Sequence, residues 1–202
     1  GGNGRSGSTA RRRCCATPPC LGDAWAEERA QRLAHEARPN TEAFELELLP
    51  LEDGQVLTMA GLSITVVEVD HAPVVPALGF VIEDGTRKLA LSGDTRPSPA
   101  LAAAAEGCDL LVHEVFAHGA MQPVPGVRSA MTIEAVTRYH TLSTEIGRIA
   151  TAAAAQALLL THIVPPDADP AALLADVRRD YAGPVIVGED LLAVDLERRS
   201  VH

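Results

Sequence analysis

Side chains able to bind a metal ion or transfer a proton follow apolar strand-like segments at four places. His71 follows VVEVD, Asp94 follows KLALSG, the pair His113 and Glu114 follows DLLV, and His162 follows ALLLT. Ligand sites in layered α/β folds collect at the carboxyl ends of strands. Histidine and carboxylate side chains are ligands that suit zinc and similar divalent ions. The recurrence therefore predicts a shared site at one edge of a sheet.

Each of these residues also has a structural explanation when it is taken alone. A single histidine at a strand end is more often a hydrogen-bonded structural residue. Asp94, in SGDTRPSP, can cap the helix that follows it, and Glu114 can be a solvated loop acid. His140, at the end of TRYH, can interact with a helix dipole. The recurrence at four strand ends favours a common site over separate roles.

The elements that must position these residues follow from periodicity. Alternating or β-branched runs predict strands, and Ala- and Leu-rich runs with capping residues predict helices. Helices are predicted over 23–37, 98–106, 132–140, 144–155 and 169–182, with Ser143 or Thr144 as the cap of the fourth. Strands are predicted over 44–50, 55–60, 62–70, 77–84, 87–93, 109–114, 157–163, 184–190 and 191–197. Strands first, then alternating helices and strands, predict one layered α/β domain.

Composition excludes several classes of protein. With 202 residues and 47% hydrophobic residues, the chain is large enough for one sizeable core. Aromatic residues make up only 3%, so that core must be aliphatic. The formal net charge of −10 argues against a broad nucleic-acid-binding face. The chain shows neither a long apolar run nor a signal peptide, and we expect a cytoplasmic protein with no membrane attachment.

Residues 1–20 differ from the rest of the chain. They contain four arginines, no acidic residue and no hydrophobic periodicity. Three cysteines, Cys14, Cys15 and Cys20, lie here without the second pair that a zinc knuckle requires. We expect free thiols in a disordered tail, followed by a single domain over 21–202. The fourth cysteine, Cys108, precedes an apolar strand and is predicted to be in the core.

Five ordered motifs resemble those of a known family. VDHAPVVPALGFVI, ALSGDT, LLVHE, YHTLSTE and LLLTHIVPP are similar to motifs of the metallo-β-lactamase superfamily, in its ribonuclease Z, phosphodiesterase and arylsulfatase-like branch. The resemblance covers residues 65–202. It implies an αββα sandwich, in which two β-sheets are flanked by helices, and two zinc ions. It also implies a zinc-dependent hydrolase of phosphodiester or sulfate ester bonds, with a small ester or an RNA as the substrate.

The same resemblance assigns roles to individual residues. His71 resembles a histidine ligand of the first metal, Asp94 the carboxylate that bridges both metals, and His162 the terminal histidine of the second metal. Glu114 and His140 resemble the acid–histidine pair that helps to protonate the leaving group. A positioned histidine that donates a proton to a departing oxygen is ordinary general acid catalysis.

The sequence also departs from the family pattern. The main metal motif, H-x-H-x-D-H, is absent, and His35 lies alone in a predicted helix. The family's first strands are absent as well. Each metal then keeps at most two protein ligands, whereas catalytic zinc generally has three. We therefore expect a partial domain with little hydrolase activity. An uncovered sheet edge would favour aggregation or a homodimer.

Two alternatives to an enzyme remain at this stage. The first is a non-catalytic remnant that keeps the fold and lacks a working metal site. The second is an unrelated α/β binding module whose histidines are structural. Convergence of His71, Asp94 and His162 in space would argue against the second alternative.

Overall fold

The computed structural model describes residues 23–35, 49–198 and 200–202. Contacts divide the chain into two units, residues 1–50 and 51–202. In the first unit, helix α1 spans Ala26–His35, with glutamates in its first turn and Arg32 in its last. The helix predicted over 23–37 is confirmed in the described part. The tail predicted over residues 1–20 and most of the strand predicted over 44–50 lie outside the described residues.

The second unit contains a seven-stranded sheet whose strands follow chain order from β1 to β7. The strands are β1 Val56–Met59, β2 Leu62–Val69, β3 Ala77–Glu83, β4 Lys88–Leu91, β5 Leu110–Phe116, β6 Leu158–Val164 and β7 Val185–Val187. Neighbours from β1 to β4 are antiparallel, and neighbours from β4 to β7 are parallel. Strands β8 Val194–Asp195 and β9 Ser200–Val201 form a separate antiparallel pair.

Four helices accompany this sheet: α2 Pro99–Ala104, α3 Ala130–Thr137, α4 Ser143–Ala152 and α5 Pro170–Val177. Ser98 and Asp169 cap α2 and α5 through their side chains, as the positions of Pro99 and Pro170 favour. The predicted cap of α4 was wrong. Leu142 occupies the N-cap, and the Ser143 hydroxyl donates to Asp176 Oδ2 at 2.6 Å. No described helix is long and apolar enough to cross a membrane.

An aliphatic core lies between the sheet and helices α2, α4 and α5. Its members include Val67, Val81, Leu111 and Leu160 from the strands and Leu101, Ile146, Leu173 and Val177 from the helices. Cys108 is fully buried in the same core, as predicted, and burial raises the pKa of its thiol to about 11. The mixed α/β architecture expected from the sequence is therefore confirmed.

Strand directions bring the candidate residues to one edge. Strands β2 and β4 both run antiparallel to β3, so they point the same way, and β5 and β6 run parallel to β4. The carboxyl ends of these four strands therefore lie at one edge of the sheet. His71 and Asp94 follow their strands, as predicted. Glu114 and His162 do not end theirs, because β5 continues to Phe116 and β6 to Val164.

Candidate functional site

A β-bulge in β6 sets the direction of His162. Glu114 pairs with Thr161 and the next residue, Val115, pairs with Ile163, so His162 is the extra residue opposite this step. Its φ of 41° lies in the left-handed region. A bulge re-aims a side chain that regular alternation would direct elsewhere. His162 Nε2 thereby lies 3.5 Å from Asp94 Oδ2, and the two side chains are about half exposed (49% and 45%).

Gly93 allows Asp94 to reach this position. Its φ is 60°, and a Cβ built there would lie 2.4 Å from the carbonyl oxygen of Leu78. A left-handed φ and a close backbone approach both require glycine. The glycine preceding Asp94 is therefore a geometric requirement of the turn after β4.

His71 is oriented from the other side of the site. Its Nδ1 lies 2.8 Å from the carbonyl oxygen of Tyr139. A carbonyl only accepts, so Nδ1 carries a hydrogen and Nε2 is the nitrogen that remains for a ligand. This is the arrangement in which a histidine binds a metal through Nε2 while a backbone carbonyl fixes its tautomer.

Glu114 and His140 form a buried pair beside these residues. His140 Nδ1 lies 3.1 Å from Glu114 Oε2, and their side chains are 6% and 1% exposed. The other carboxylate oxygen, Oε1, accepts the backbone N–H groups of Thr141 at 2.7 Å and of Thr95 at 3.3 Å. A carboxylate with three donors is fixed as an acceptor, so it holds the His140 ring in one orientation.

Ring contacts connect the pair to the candidate metal ligands. The His140 ring centroid lies 5.2 Å from that of His71 and 5.5 Å from that of His162. Tyr139 completes the cluster, with its ring 5.0 Å from His71 and 4.9 Å from His140. The structure thus brings all five predicted site residues together: His71, Asp94, Glu114, His140 and His162.

These residues are of the types that bind a divalent ion, but they are fewer than the ligands that a complete metal site requires. A free imidazole nitrogen on His71 and a neighbouring carboxylate and imidazole at Asp94 and His162 are appropriate donors. Within the described ranges, however, no three or more His, Cys, Asp or Glu residues form a metal-binding group. All seven histidines of the sequence are described, so the masked segments hold no further imidazole.

Sequence reasoning missed two threonines that join the segments of the site. Thr95 follows Asp94, Thr141 follows His140, and both are fully buried. The Thr141 hydroxyl donates to the carbonyl oxygen of Thr95 at 2.8 Å. The only sequence signal was their position, since each stands directly after a chemically active residue.

His113 is separate from the site chemistry. It is fully buried, its Nδ1 donates to the carbonyl oxygen of Glu114 at 2.8 Å, and its Nε2 has no hydrogen-bond partner among the described residues. Burial lowers the pKa of its imidazole below the ordinary value of 6.5. A neutral, buried imidazole of this kind is a structural member of β5.

Comparison with curated proteins identifies ribonucleases Z as relatives. One is the ribonuclease Z of Myxococcus xanthus (strain DK1622), 31% identical, with 84% of this chain and 69% of that protein aligned. Another is that of Mycolicibacterium paratuberculosis (strain ATCC BAA-968 / K-10), 32% identical, with 84% of this chain and 59% of that protein aligned. The chain thus spans about three fifths to two thirds of the length of these relatives.

A family match and a solved structure agree with these relatives. The metallo-beta-lactamase fold protein YhfI from Bacillus subtilis is 26% identical, with a TM-score of 0.55 over 69% of this chain and 52% of that one. The family described as "Beta-lactamase superfamily domain" matches residues 12–163, a range that includes all five predicted site residues. The resemblance inferred from the sequence is confirmed, and the chain belongs to the beta-lactamase superfamily, in its ribonuclease Z-like branch.

Proposed function

We propose that this chain carries part of the metal site, and the acid–base pair beside it, of a ribonuclease Z-like hydrolase that acts on phosphodiester bonds. The observation that carries the proposal is the place of His140. Its ring centroid lies 5.2 Å from that of His71 and 5.5 Å from that of His162, and the buried carboxylate of Glu114 holds its Nδ1. A structural histidine needs no such neighbours, whereas a proton donor beside a metal site would need them.

His71, Asp94 and His162 are the residues that would hold the ion, and we propose zinc. A bound divalent ion would act as a Lewis acid that stabilises the charge developing on the ester. Asp94 and His162 are half exposed, so an ester can approach them from solvent. His71 is partly buried and fixed by the Tyr139 carbonyl, which leaves Nε2 as its ligand atom.

His140 is the proposed general acid. Because Glu114 occupies its Nδ1, the nitrogen that remains for the departing oxygen is Nε2. Glu114 itself is too buried to reach a substrate, and its two oxygens are already bonded to three donors. Its role is to orient the imidazole and to stabilise its protonated form, as an orienting carboxylate does for a histidine elsewhere in catalysis.

The proposed substrate class follows from the relatives, which are ribonucleases Z. A phosphodiester, in RNA or in a smaller molecule, is the bond that this arrangement would cleave. The net charge of −10 would disfavour a large polyanion away from the site, so we expect contacts to be confined to the scissile region. Turnover by the 202 residues alone should be slow, because the sequence lacks the H-x-H-x-D-H ligands.

The test is hydrolysis of bis(p-nitrophenyl) phosphate by the 202-residue chain with added Zn²⁺. The ribonuclease Z of Myxococcus xanthus is assayed beside it, and p-nitrophenyl sulfate tests the sulfate ester alternative. We expect slow phosphodiester cleavage that falls to the metal-only background in Asp94→Asn and persists in the control His118→Gln, at an exposed position. Two tightly bound zinc ions per chain, with turnover like that of the relative, would contradict the expectation of slow turnover.

Activity that survives Asp94→Asn would show that the cleavage does not come from this site. No cleavage of either ester, together with no cation binding that depends on Asp94, would instead support the non-catalytic remnant, which lacks a working metal site. The two substitutions, with cation binding measured beside cleavage, therefore separate the proposed enzyme from the non-catalytic remnant.

A further inference from the structure

Three short segments at the sheet edge are joined by buried and partly buried hydrogen bonds that metal-ligand assignments do not explain. Each segment pairs one candidate site residue with a neighbour in sequence: Asp70–His71, Asp94–Thr95 and His140–Thr141. The neighbours Thr95 and Thr141 are fully buried. None of the bonds described below involves the side chains of the three candidate metal ligands.

Thr141 is the residue that connects two of these segments. Its hydroxyl donates to the carbonyl oxygen of Thr95 at 2.8 Å. Its backbone N–H donates to Glu114 Oε1 at 2.7 Å, the same oxygen that accepts the Thr95 N–H at 3.3 Å. Thr95 and Thr141 are therefore held together twice, once directly and once through the carboxylate that also holds His140.

Thr95 extends the connection to the third segment. Its hydroxyl lies 3.3 Å from the carbonyl oxygen of Asp70 and 2.8 Å from that of Arg96. The Arg96 N–H donates to the same Asp70 oxygen at 2.8 Å. Asp70 precedes His71, so a displacement of Thr95 would reach both candidate ligands, Asp94 and His71.

We infer that Thr141 is a positioning residue whose hydroxyl fixes the Asp94 segment against the Glu114–His140 pair. The effect of this residue on catalysis rests on the proposed function, because Thr141 would set the spacing between the proposed general acid and the proposed ligands. If the buried hydroxyl only filled space, a methyl group of the same shape could replace it. If the hydroxyl positions Thr95, a methyl group could not replace it, because the hydrogen bond would be lost.

The matched variants are Thr141→Val, which keeps the shape and removes the donor, and Thr141→Ser, which keeps the donor. Thr137→Val is the control, since the Thr137 hydroxyl makes an equal 2.8 Å bond to the carbonyl oxygen of Ile133 within α3 and lies outside this network. Amide hydrogen exchange in the cation-free chain reports the Thr95 and Thr141 N–H groups directly. The N–H groups of core strand residues, such as Leu160, report global opening.

In Thr141→Val we expect exchange at Thr95 and Thr141 to accelerate about tenfold beyond any change at Leu160, the effect of losing one buried hydrogen bond. Thr141→Ser should restore protection, and Thr137→Val should leave Thr95 unchanged. Equal acceleration at all amides, a Thr141→Val profile like that of Thr137→Val, or no rescue by serine would overturn the inference.

A second readout, Co²⁺ affinity by calorimetry, separates this inference from the proposed function. Thr141→Val should weaken Co²⁺ binding about 10–100-fold, as loss of a group that orients ligands does, while Thr141→Ser binds like the unmodified chain. Equal affinity in all three proteins, with loss in Asp94→Asn, would overturn the positioning role at the metal site. Failure of every protein to bind Co²⁺ would count against the proposed function, while the exchange comparison would still decide whether Thr141 fixes the segment.

Discussion

His140 Nδ1 lies 3.1 Å from Glu114 Oε2, within a cluster where the His140 ring also contacts His71 and His162. The Glu114 carboxylate is buried, and the rings of both candidate ligand histidines have centroids within 5.5 Å of the His140 ring. This relationship separates the roles of the five site residues. In the proposed function, His71, Asp94 and His162 are metal ligands, His140 donates a proton, and Glu114 orients His140.

Substitution of His140 should lower turnover without removing metal. In a full-length ribonuclease Z relative that has a histidine at the position aligned with His140, alanine there should reduce kcat about 10²–10⁴-fold, the usual contribution of a general acid. Zinc content, measured by mass spectrometry on the same sample, should stay unchanged. Loss of zinc along with activity would show that this histidine is a ligand.

At position 162, the glycine variant should be more stable than the alanine variant, which reverses the usual order in a strand. The φ of 41° at His162 is costly for any residue with a Cβ, by about 1–3 kcal/mol. His162→Gly should therefore be more stable than His162→Ala by about 1 kcal/mol, although glycine in a strand is normally the less stable of the two. Urea unfolding of both variants measures the difference. At Thr161, in regular strand, the alanine variant should be the more stable.

Gly93→Ala should destabilise the fold more than a glycine substitution at a comparable but open turn. The new Cβ would lie 2.4 Å from the carbonyl oxygen of Leu78, so backbone must shift in addition to the strain of φ at 60°. Gly107, with φ at 72° and nothing within 4 Å of its Cβ position, is the control. We expect a cost of about 1–3 kcal/mol for the strain in both variants and a further loss only in Gly93→Ala. Equal unfolding midpoints for the two variants would show that the backbone of the turn before Asp94 can shift to accommodate a Cβ without cost.

His113 should make stability fall as the solution becomes acidic. Burial lowers its pKa in the folded state below 6.5, so below pH 6.5 the unfolded chain binds more protons than the folded one. The contribution of His113 to the free energy of unfolding is complete above pH 6.5. It is lost between pH 6.5 and the lower pKa of the folded state, at up to about 1.4 kcal/mol per pH unit. His113→Asn, which keeps a donor for the Glu114 carbonyl, should flatten this dependence relative to the exposed control His118→Asn. An unchanged slope would contradict the assignment.

The strands and the residues that follow them were predictable from sequence because they depend on local patterns. Alternating and β-branched runs fixed the strands, and chemically active residues after those runs indicated the site. The family resemblance then assigned their roles. His71 reaches the same edge as Asp94 because of the strand directions, which cannot be deduced from sequence periodicity.

The details that orient the site depend on tertiary contacts and were missed. The left-handed bulge at His162 arises from its pairing with β5, and nothing in LLLTHIV distinguishes it from a regular strand end. Ser143 looked like a helix cap, yet its hydroxyl bonds to Asp176, which is distant in sequence. Thr95 and Thr141 likewise gain their roles only from meeting each other in the folded chain.

The central proposal is that His71, Asp94 and His162 supply the ligands of the divalent-cation site at this sheet edge. Paramagnetic broadening by substoichiometric Mn²⁺ in a ¹⁵N-labelled chain tests it most directly, because the method detects weak binding and reports location. We predict that amides at these three positions broaden first, before those near exposed acids such as Asp84, and that Asp94→Asn abolishes the effect. Broadening that is uniform over the acidic surface, or that persists at His71 and His162 in Asp94→Asn, would contradict the claim.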